Sequence, residues 1–235
     1  MIAVFVNMAT VFLGSLIGIF FRSKIKQAYI DTLISALALI TIVIGVSSAI
    51  KTTDFLCLII CLVVGTLAGM LLKLSDRLDG AGDFIKSKLP KMKNDRFTEG
   101  FVSACILFCV GSMTIIGSFE AGISGNYDII FAKSALDFVS SMMFGASMGI
   151  GVTFSVVFIL LFQGGLTLLA GVVAPFLGNS VIVEMSAVGG TILIGMGINM
   201  LDISNKKIAV ANMFPAVFMP IAYIPLCHLI TKVLN

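Results

Sequence analysis

The sequence contains little charge, one histidine and none of the short motifs that mark common enzymes. Charged residues make up 11% of its 235 residues, against roughly 25% in soluble domains. It lacks the zinc-binding H-E-x-x-H pattern, the G-x-S-x-G nucleophile elbow and the G-x4-G-K-[ST] phosphate loop. The one histidine, His228, falls near the end of an apolar run and leaves no obvious base for a nucleophile. We therefore expect no enzyme and no cofactor.

Apolar residues dominate instead, at 59% of the chain with a mean hydropathy of +1.14. They form runs close to the roughly 20 residues that a helix needs to cross a bilayer. The sequence therefore predicts an all-α, polytopic membrane protein with about seven or eight transmembrane helices, surrounded by lipid. The candidate spans cover residues 2–21, 31–50, 54–72, 100–119, 129–150, 152–173, 182–201 and 208–230.

A single transmembrane domain is predicted over residues 1–235. It divides into the first three spans in 1–72, a connector in 73–99 and the remaining spans in 100–235. The connector carries seven basic and five acidic residues. Its stretch "DRLDGAGDFIKSKL" is typical either of a short amphipathic helix at the membrane surface or of a solvated linker.

Basic residues are concentrated in alternate loops. Of the fifteen, three follow the first span, seven lie in the connector and two precede the last span. Because Lys and Arg accumulate in short cytoplasmic loops, we predict an N-terminus outside and a cytoplasmic connector. These loops also account for the net charge of +3, so no nucleic-acid partner is indicated.

Three spans predicted to run inward end in a Gly-x3-Gly pattern. They read "GSLIG" at 14–18, "GTLAG" at 65–69 and "GASMG" at 145–149. Such stripes let helix backbones approach closely, either within one protomer or between the protomers of a homo-oligomer. The related segments "TIVIG", "TIIG" and "TILIG" are consistent with inverted repeats, as in secondary transporters, or with the shared composition of glycine-rich helices.

Lys133 and Asp137 lie four residues apart in a segment that is otherwise apolar. At a rise of about 1.5 Å per residue they lie roughly 6 and 12 Å inside the predicted boundary, so Asp137 is near the bilayer centre. Charges at that depth are costly. Either the two residues neutralise each other across one turn and pack the bundle, or Asp137 titrates or binds a cation while Lys133 regulates it or meets an anionic group.

Glycine and hydroxyl residues crowd the fourth span, in "CVGSMTIIGS" at 109–118. Such a segment either unwinds to line a cavity or packs as a regular helix. The amides of Asn7, Gln163 and Asn199 are either ligands or hydrogen-bonding groups between helices. We assign ion or solute binding, and no metal site, to Asp137, Lys133, Ser134, Ser112, Thr114, Gly111, Gly117 and Asn199.

Other residues bear on helix shape and packing. Pro215, Pro220 and Pro225 occur at five-residue intervals and are predicted to break or bend the last span. Glu184 opens the seventh span and is interpreted as a helix-start carboxylate that faces water. The five cysteines fall within apolar spans and are predicted to act as small packing residues.

The segment "EGFVSACILFCVGSMTIIGS" at 99–118, followed by "GISGNYDIIFAKSALD" and "ANMFPA", resembles the YqgA-like family of bacterial inner-membrane proteins. The motifs "FQGG" at 162–165 and "AVGG" at 187–190 extend the resemblance over nearly the whole chain. It implies a multispanning protein of the bacterial inner membrane with a transport-related role. It assigns no binding residues.

Transport is the function that these features favour. The hypothesis is a small secondary transporter that couples a proton or cation to a small solute at a midplane site around Asp137. A passive channel is one alternative. A membrane assembly or sensing protein that meets a partner through the connector is the other.

Overall fold

A computed structural model describes residues 1–22, 27–88, 96–109, 111–173, 177–203 and 206–234. Within these residues the regular structure is entirely helical, which confirms the all-α prediction. In chain order the α-helices are α1 (Ile2–Arg22), α2 (Gln27–Ala49), α3 (Phe55–Leu71), α4 (Leu74–Lys88), α5 (Phe97–Cys109), α6 (Ser112–Ile123), α7 (Asp128–Met148), α8 (Gly151–Leu168), α9 (Ala170–Val173), α10 (Asn179–Leu201) and α11 (Pro220–Leu234). A 3₁₀ helix, Val210–Phe218, precedes α11.

Five helices are long and apolar enough to cross a membrane alone, namely α1, α2, α7, α8 and α10. Three bent pairs pass the same criterion when each is joined: α3 with α4 at 54°, α5 with α6 at 59°, and the 3₁₀ helix with α11 at 41°. The described chain therefore has between five and eight candidate spans. The last bend coincides with Pro215 and Pro220, as predicted, because proline breaks the helical hydrogen-bond ladder.

The pair α5 and α6 forms one broken span. Gly151, at the start of α8, packs against Phe97 at the start of α5. Gly122, near the end of α6, packs against Thr167 at the far end of α8. A re-entrant pair would bring its two ends back to the same side of the membrane. Because these ends instead lie at opposite ends of α8, the pair crosses the bundle.

The connector begins with a helix. α4 contains most of the predicted "DRLDGAGDFIKSKL" stretch, and Ser75 near its start donates its backbone N–H to Oδ1 of Asn212 in the 3₁₀ helix at 2.8 Å. Residues 89–95 of the connector and the side chain of His228 lie outside the described part of the chain. As far as Lys88 the stretch is helical, while its place at the membrane surface stays a prediction.

The Gly-x3-Gly stripes bring helix backbones into contact within the protomer. A Cβ atom at Gly18 of α1 would overlap the backbone carbonyl of Met142 in α7, and one at Gly145 would overlap that of Ser15. Gly69 of α3 meets the carbonyl of Asn212 in the same way. These contacts fix α1 parallel to α7, because Gly14 lies beside Phe138 and Gly18 beside Met142. Glycine is required because the backbones touch.

Gly149, the last glycine of "GASMG", has a different role. It ends α7 with φ +83°, a conformation that favours glycine. The turn that follows leads directly into α8 at Gly151. Because α7 and α8 each have spanning length, the join is a tight turn between two spans and not a re-entrant pair.

The segments "TIVIG" in α2 and "TILIG" in α10 lie on helices that pack against each other. Gly45 of α2 contacts Gly190, the residue before the second segment, while Gly197 of α10 contacts Ala38. The order of these contacts makes the helices antiparallel. This is the relation expected of segments from repeats of opposite orientation.

Glu184 contradicts its sequence interpretation. It is 1% exposed, and its carboxylate accepts hydrogen bonds from Oγ1 of Thr52 at 2.6 Å, from N and Oγ1 of Thr53 at 2.7 and 3.0 Å, and from N of Asp54 at 3.2 Å. These donors belong to the loop between α2 and α3. The carboxylate faces this loop and not water because α10 packs along α2, which brings the loop over it.

We expect Glu184→Ala to lower thermal stability because four donors of this loop, all in part-buried hydrogen bonds, would lose their acceptor. Hydrogen bonds to charged groups contribute about 1.5–3 kcal/mol each, so the loss is at least of that size. Melting of the purified protein in detergent measures it. Glu120→Ala is the control, since Glu120 accepts one exposed bond from Asn126. Equal melting temperatures for the two variants would contradict the role of Glu184.

Candidate functional site

A buried ion pair occupies the first half of α7. Lys133 and Asp137 stand one turn apart and form a direct salt bridge between Nζ and Oδ2. Lys133 is 6% exposed and Asp137 is 8% exposed. The i, i+4 spacing on a helix is sufficient to bring the two groups together. The two charged residues of the predicted site therefore lie together.

Two amides from other helices complete a polar cluster around this pair. Asn7 of α1 donates from Nδ2 to Oε1 of Gln163 in α8 at 3.0 Å, and the Asn7 side chain also lies beside the Asp137 carboxylate. Asn7 is 0% and Gln163 is 1% exposed. Oδ1 of Asn7 and Nε2 of Gln163 remain buried without a hydrogen-bond partner among the described residues. The cluster thus holds one unused acceptor and one unused donor.

The predicted site does not include Asn7 and Gln163, although the distance of each residue from the end of its helix was a usable signal. Asn7 lies five residues after the start of α1, Lys133 five after the start of α7, and Gln163 five before the end of α8. Each is therefore about 7.5 Å from a helix end at a rise of about 1.5 Å per residue. These three ends lie on one side of the bundle because α1 is parallel to α7 and antiparallel to α8.

The break between α5 and α6 lies next to the ion pair. The ring centroid of Phe108, near the end of α5, lies 6.0 Å from Nζ of Lys133. The next residue, Cys109, lies within electrostatic range of both Lys133 and Asp137. Gly111 precedes α6 with φ +139° and ψ +153°, a backbone conformation that favours glycine. Thr114 donates from Oγ1 to the carbonyl oxygen of Phe108 at 3.2 Å. The glycine and hydroxyl residues of this span therefore mark a helix break.

The other predicted site residues support helix structure. Ser134 donates to the carbonyl oxygen of Ile130 at 2.7 Å. Gly117 packs against Ile129 and Ile130, where a Cβ atom would lie 2.9 Å from their side chains. Gly111 and Thr114 shape the break. The side chain of Ser112 is outside the described part of the structure.

A matched family model covers residues 2–224 and is described as a protein of unknown function, DUF554. The chain belongs to this family. Among curated DUF554 relatives, the uncharacterized membrane protein YdfK of Bacillus subtilis is 26% identical over 94% of this chain and 95% of its own length. The uncharacterized protein YqgA of Escherichia coli is 27% identical over 92% of each chain. The predicted resemblance is thereby confirmed. No solved structure matches.

In this DUF554 chain, Asn199 does not belong to the ion-pair cluster. It lies near the end of α10, where its amide donates to the carbonyl oxygen of Ile208 at 2.7 Å and accepts from the N–H of Ile208 at 2.8 Å. α10 starts beside the end of α6, which is the side of the bundle where Lys133 lies. Asn199 is therefore at the opposite side of the bundle, and the structure does not bring it together with Asp137.

Asn199 instead borders a cavity of about 290 Å³ at the connector side of the DUF554 bundle. The cavity is lined in part by Asp79 of α4, Glu99 of α5 and Lys207, and Lys207 approaches Glu99 at 3.8 Å. The cavity is therefore lined by side chains of both charges, and it is separate from the Lys133–Asp137 pair.

Proposed function

We propose that this protein is a small secondary transporter that couples a proton or cation to the movement of a small solute. Asp137 takes the coupling ion, and Lys133 pairs either with Asp137 or with the solute. The observation that carries the proposal is the buried ion pair beside a broken span, with two half-satisfied amides around it. Discontinuous helices at ion and substrate sites are a common feature of secondary transporters.

The energetic cost of this arrangement supports a functional role. Ionisable groups within membrane spans are costly and usually mark ion or substrate pathways. A buried ion pair is often no more stabilising than apolar residues of similar volume. A polar network with unmet donors and acceptors is less stable than an apolar core. Packing alone therefore gives little reason to place these four side chains here.

The fold also supplies elements that can change conformation. The α5–α6 break at Gly111 lies beside the Lys133–Asp137 pair, and the 3₁₀ helix meets α11 at an angle of 41°. Movement at such breaks opens a site to one side of the membrane and then to the other, which is alternating access. With the proposed orientation, basic loops inside, the pair lies toward the outer face.

We expect Asp137→Asn to lose coupled flux in a protein that still folds, with a lower melting temperature because the buried Lys133 loses its charged partner. The asparagine has nearly the same shape as aspartate but cannot release a proton or neutralise a cation. The measurement is uptake of a panel of labelled small solutes into reconstituted vesicles under an imposed proton or sodium gradient. Asp128→Asn is the matched control, because Asp128 is exposed in the first turn of the same helix.

Gradient-driven uptake that is unchanged in Asp137→Asn would contradict the proposal. Single-channel current steps in planar bilayers would indicate a passive channel instead. A protein without the connector can be tested for its ability to replace the intact protein in cells. If it failed to do so while its flux in vesicles was unchanged, the assembly or sensing alternative would be favoured.

A further inference from the structure

Four buried side chains on three helices offer complementary hydrogen-bonding and charged groups. Lys133 supplies a cation and Asp137 a carboxylate. Gln163 supplies an unused N–H donor and Asn7 an unused carbonyl acceptor. We propose that this cluster binds a small zwitterion, an α-amino acid, and that Asn7 and Gln163 are direct ligand contacts. The proposal rests on the proposed function and names the substrate class of the same site: the coupling ion and the ammonium of the solute occupy the Asp137 carboxylate in turn.

The charge balance of the cluster selects a zwitterion. Lys133 and Asp137 sum to zero, so the closed pair buries no net charge. An α-amino acid also sums to zero, and its two charged groups can replace the two partners within the pair. A carboxylate or an amine that entered alone would leave one net charge in a membrane interior, where an uncompensated charge is costly. The exchange therefore favours a ligand that carries both charges.

The unused amide atoms match the same ligand. Its carboxylate accepts hydrogen bonds from Nζ of Lys133 and from Nε2 of Gln163. Its ammonium donates to the carboxylate of Asp137 and to Oδ1 of Asn7. Every buried polar atom that lacks a partner in this cluster thereby gains one, and an unmet buried group is what makes such a network unstable.

The surroundings indicate which amino acids fit. Phe108 lies over the lysine, and Cys109 is fully buried nearby. These neighbours offer an apolar surface to a side chain and no partner for a third charge. Small uncharged side chains, such as those of alanine, serine and valine, are therefore expected to bind, and aspartate and lysine are not.

The test compares three matched probes on the purified full-length protein. L-alanine carries both charges, propionate lacks the ammonium, and ethylamine lacks the carboxylate. The measurement is the shift in melting temperature at equal concentrations, because a ligand that binds only the folded state raises its stability. We expect a shift with alanine and with the other small uncharged amino acids, and none with propionate or ethylamine.

Two variants separate ligand contact from structural support. Gln163→Leu and Asn7→Leu are each expected to weaken alanine binding by at least about tenfold, as the loss of a hydrogen bond to a charged ligand group predicts. Thr153→Val is the control. It removes a different buried hydrogen bond between α1 and α8, between the hydroxyls of Ser15 and Thr153 at 2.9 Å, and is expected to leave the alanine affinity unchanged.

Several outcomes would overturn the zwitterion assignment. These are a melting shift with propionate or ethylamine alone, no shift with any of the small uncharged amino acids, and equal weakening of alanine binding by Thr153→Val. Gradient-driven uptake of propionate but not alanine would reject the zwitterion and keep the transporter. Alanine binding without uptake under any gradient would keep the site and reject transport.

Discussion

Lys133→Met is expected to destabilise the protein strongly, whereas Lys133→Met combined with Asp137→Leu is expected to melt near the wild type. The single change leaves a carboxylate buried at 8% exposure without its cation. Removal of one partner of a buried pair costs about 3–5 kcal/mol, while replacement of both by apolar residues is often neutral or stabilising by about 1–4 kcal/mol. Thermal unfolding of the single and double variants in one detergent measures both effects.

The comparison also separates folding from function. The double variant fills the site with apolar side chains and loses both charges, so it is expected to be folded and inactive in uptake. If the costs of the two single changes simply added in the double variant, the residues would not be energetically coupled. That result would contradict the ion pair as the centre of the site.

Gly18→Ala is expected to have the second large effect. Its Cβ atom would overlap the carbonyl oxygen of Met142 and the backbone nitrogen of Ala146, so α1 must move away from α7. Overpacking costs typically about 1–3 kcal/mol. Because Asn7 lies on the same helix, the shift would also displace it from Asp137. Both a lower melting temperature and weaker solute binding are therefore expected.

Gly165→Ala is the control for this substitution. Gly165 lies within α8, and a Cβ atom there would have nothing within 4 Å. Alanine is favoured over glycine in a helix by about 1 kcal/mol, so this variant is expected to melt at or above the wild-type temperature. Equal destabilisation by the two substitutions would contradict the role assigned to the contact of α1 with α7, because Gly165 has no such contact.

α1, α7 and α8 meet at the ion pair, and the glycine contacts of α1 hold its amide at the depth of the pair. Because the backbones of α1 and α7 touch, the polar side chains on these helices have little freedom to change position. The position of Asn7 relative to the ion pair therefore depends on the glycine contacts between α1 and α7.

Local features of the sequence determined the membrane fold and the ion pair. Hydropathy sums over consecutive residues, so the apolar runs locate the spans without knowledge of their neighbours. The i, i+4 spacing of Lys133 and Asp137 makes them meet on any helix. Pro215 and Pro220 similarly indicated where the last span bends, because the backbone preference of proline is intrinsic to the residue.

Only the tertiary structure decided which helices meet. Asn7 and Gln163 lie 156 residues apart in sequence, and Glu184 reaches a loop more than 100 residues away. Asn199 resembled the other amides in sequence but lies at the opposite side of the bundle. In a membrane, helix pairing depends on the close fit of particular surfaces and on polar contacts between them. That fit is a property of pairs of helices, which no single span specifies.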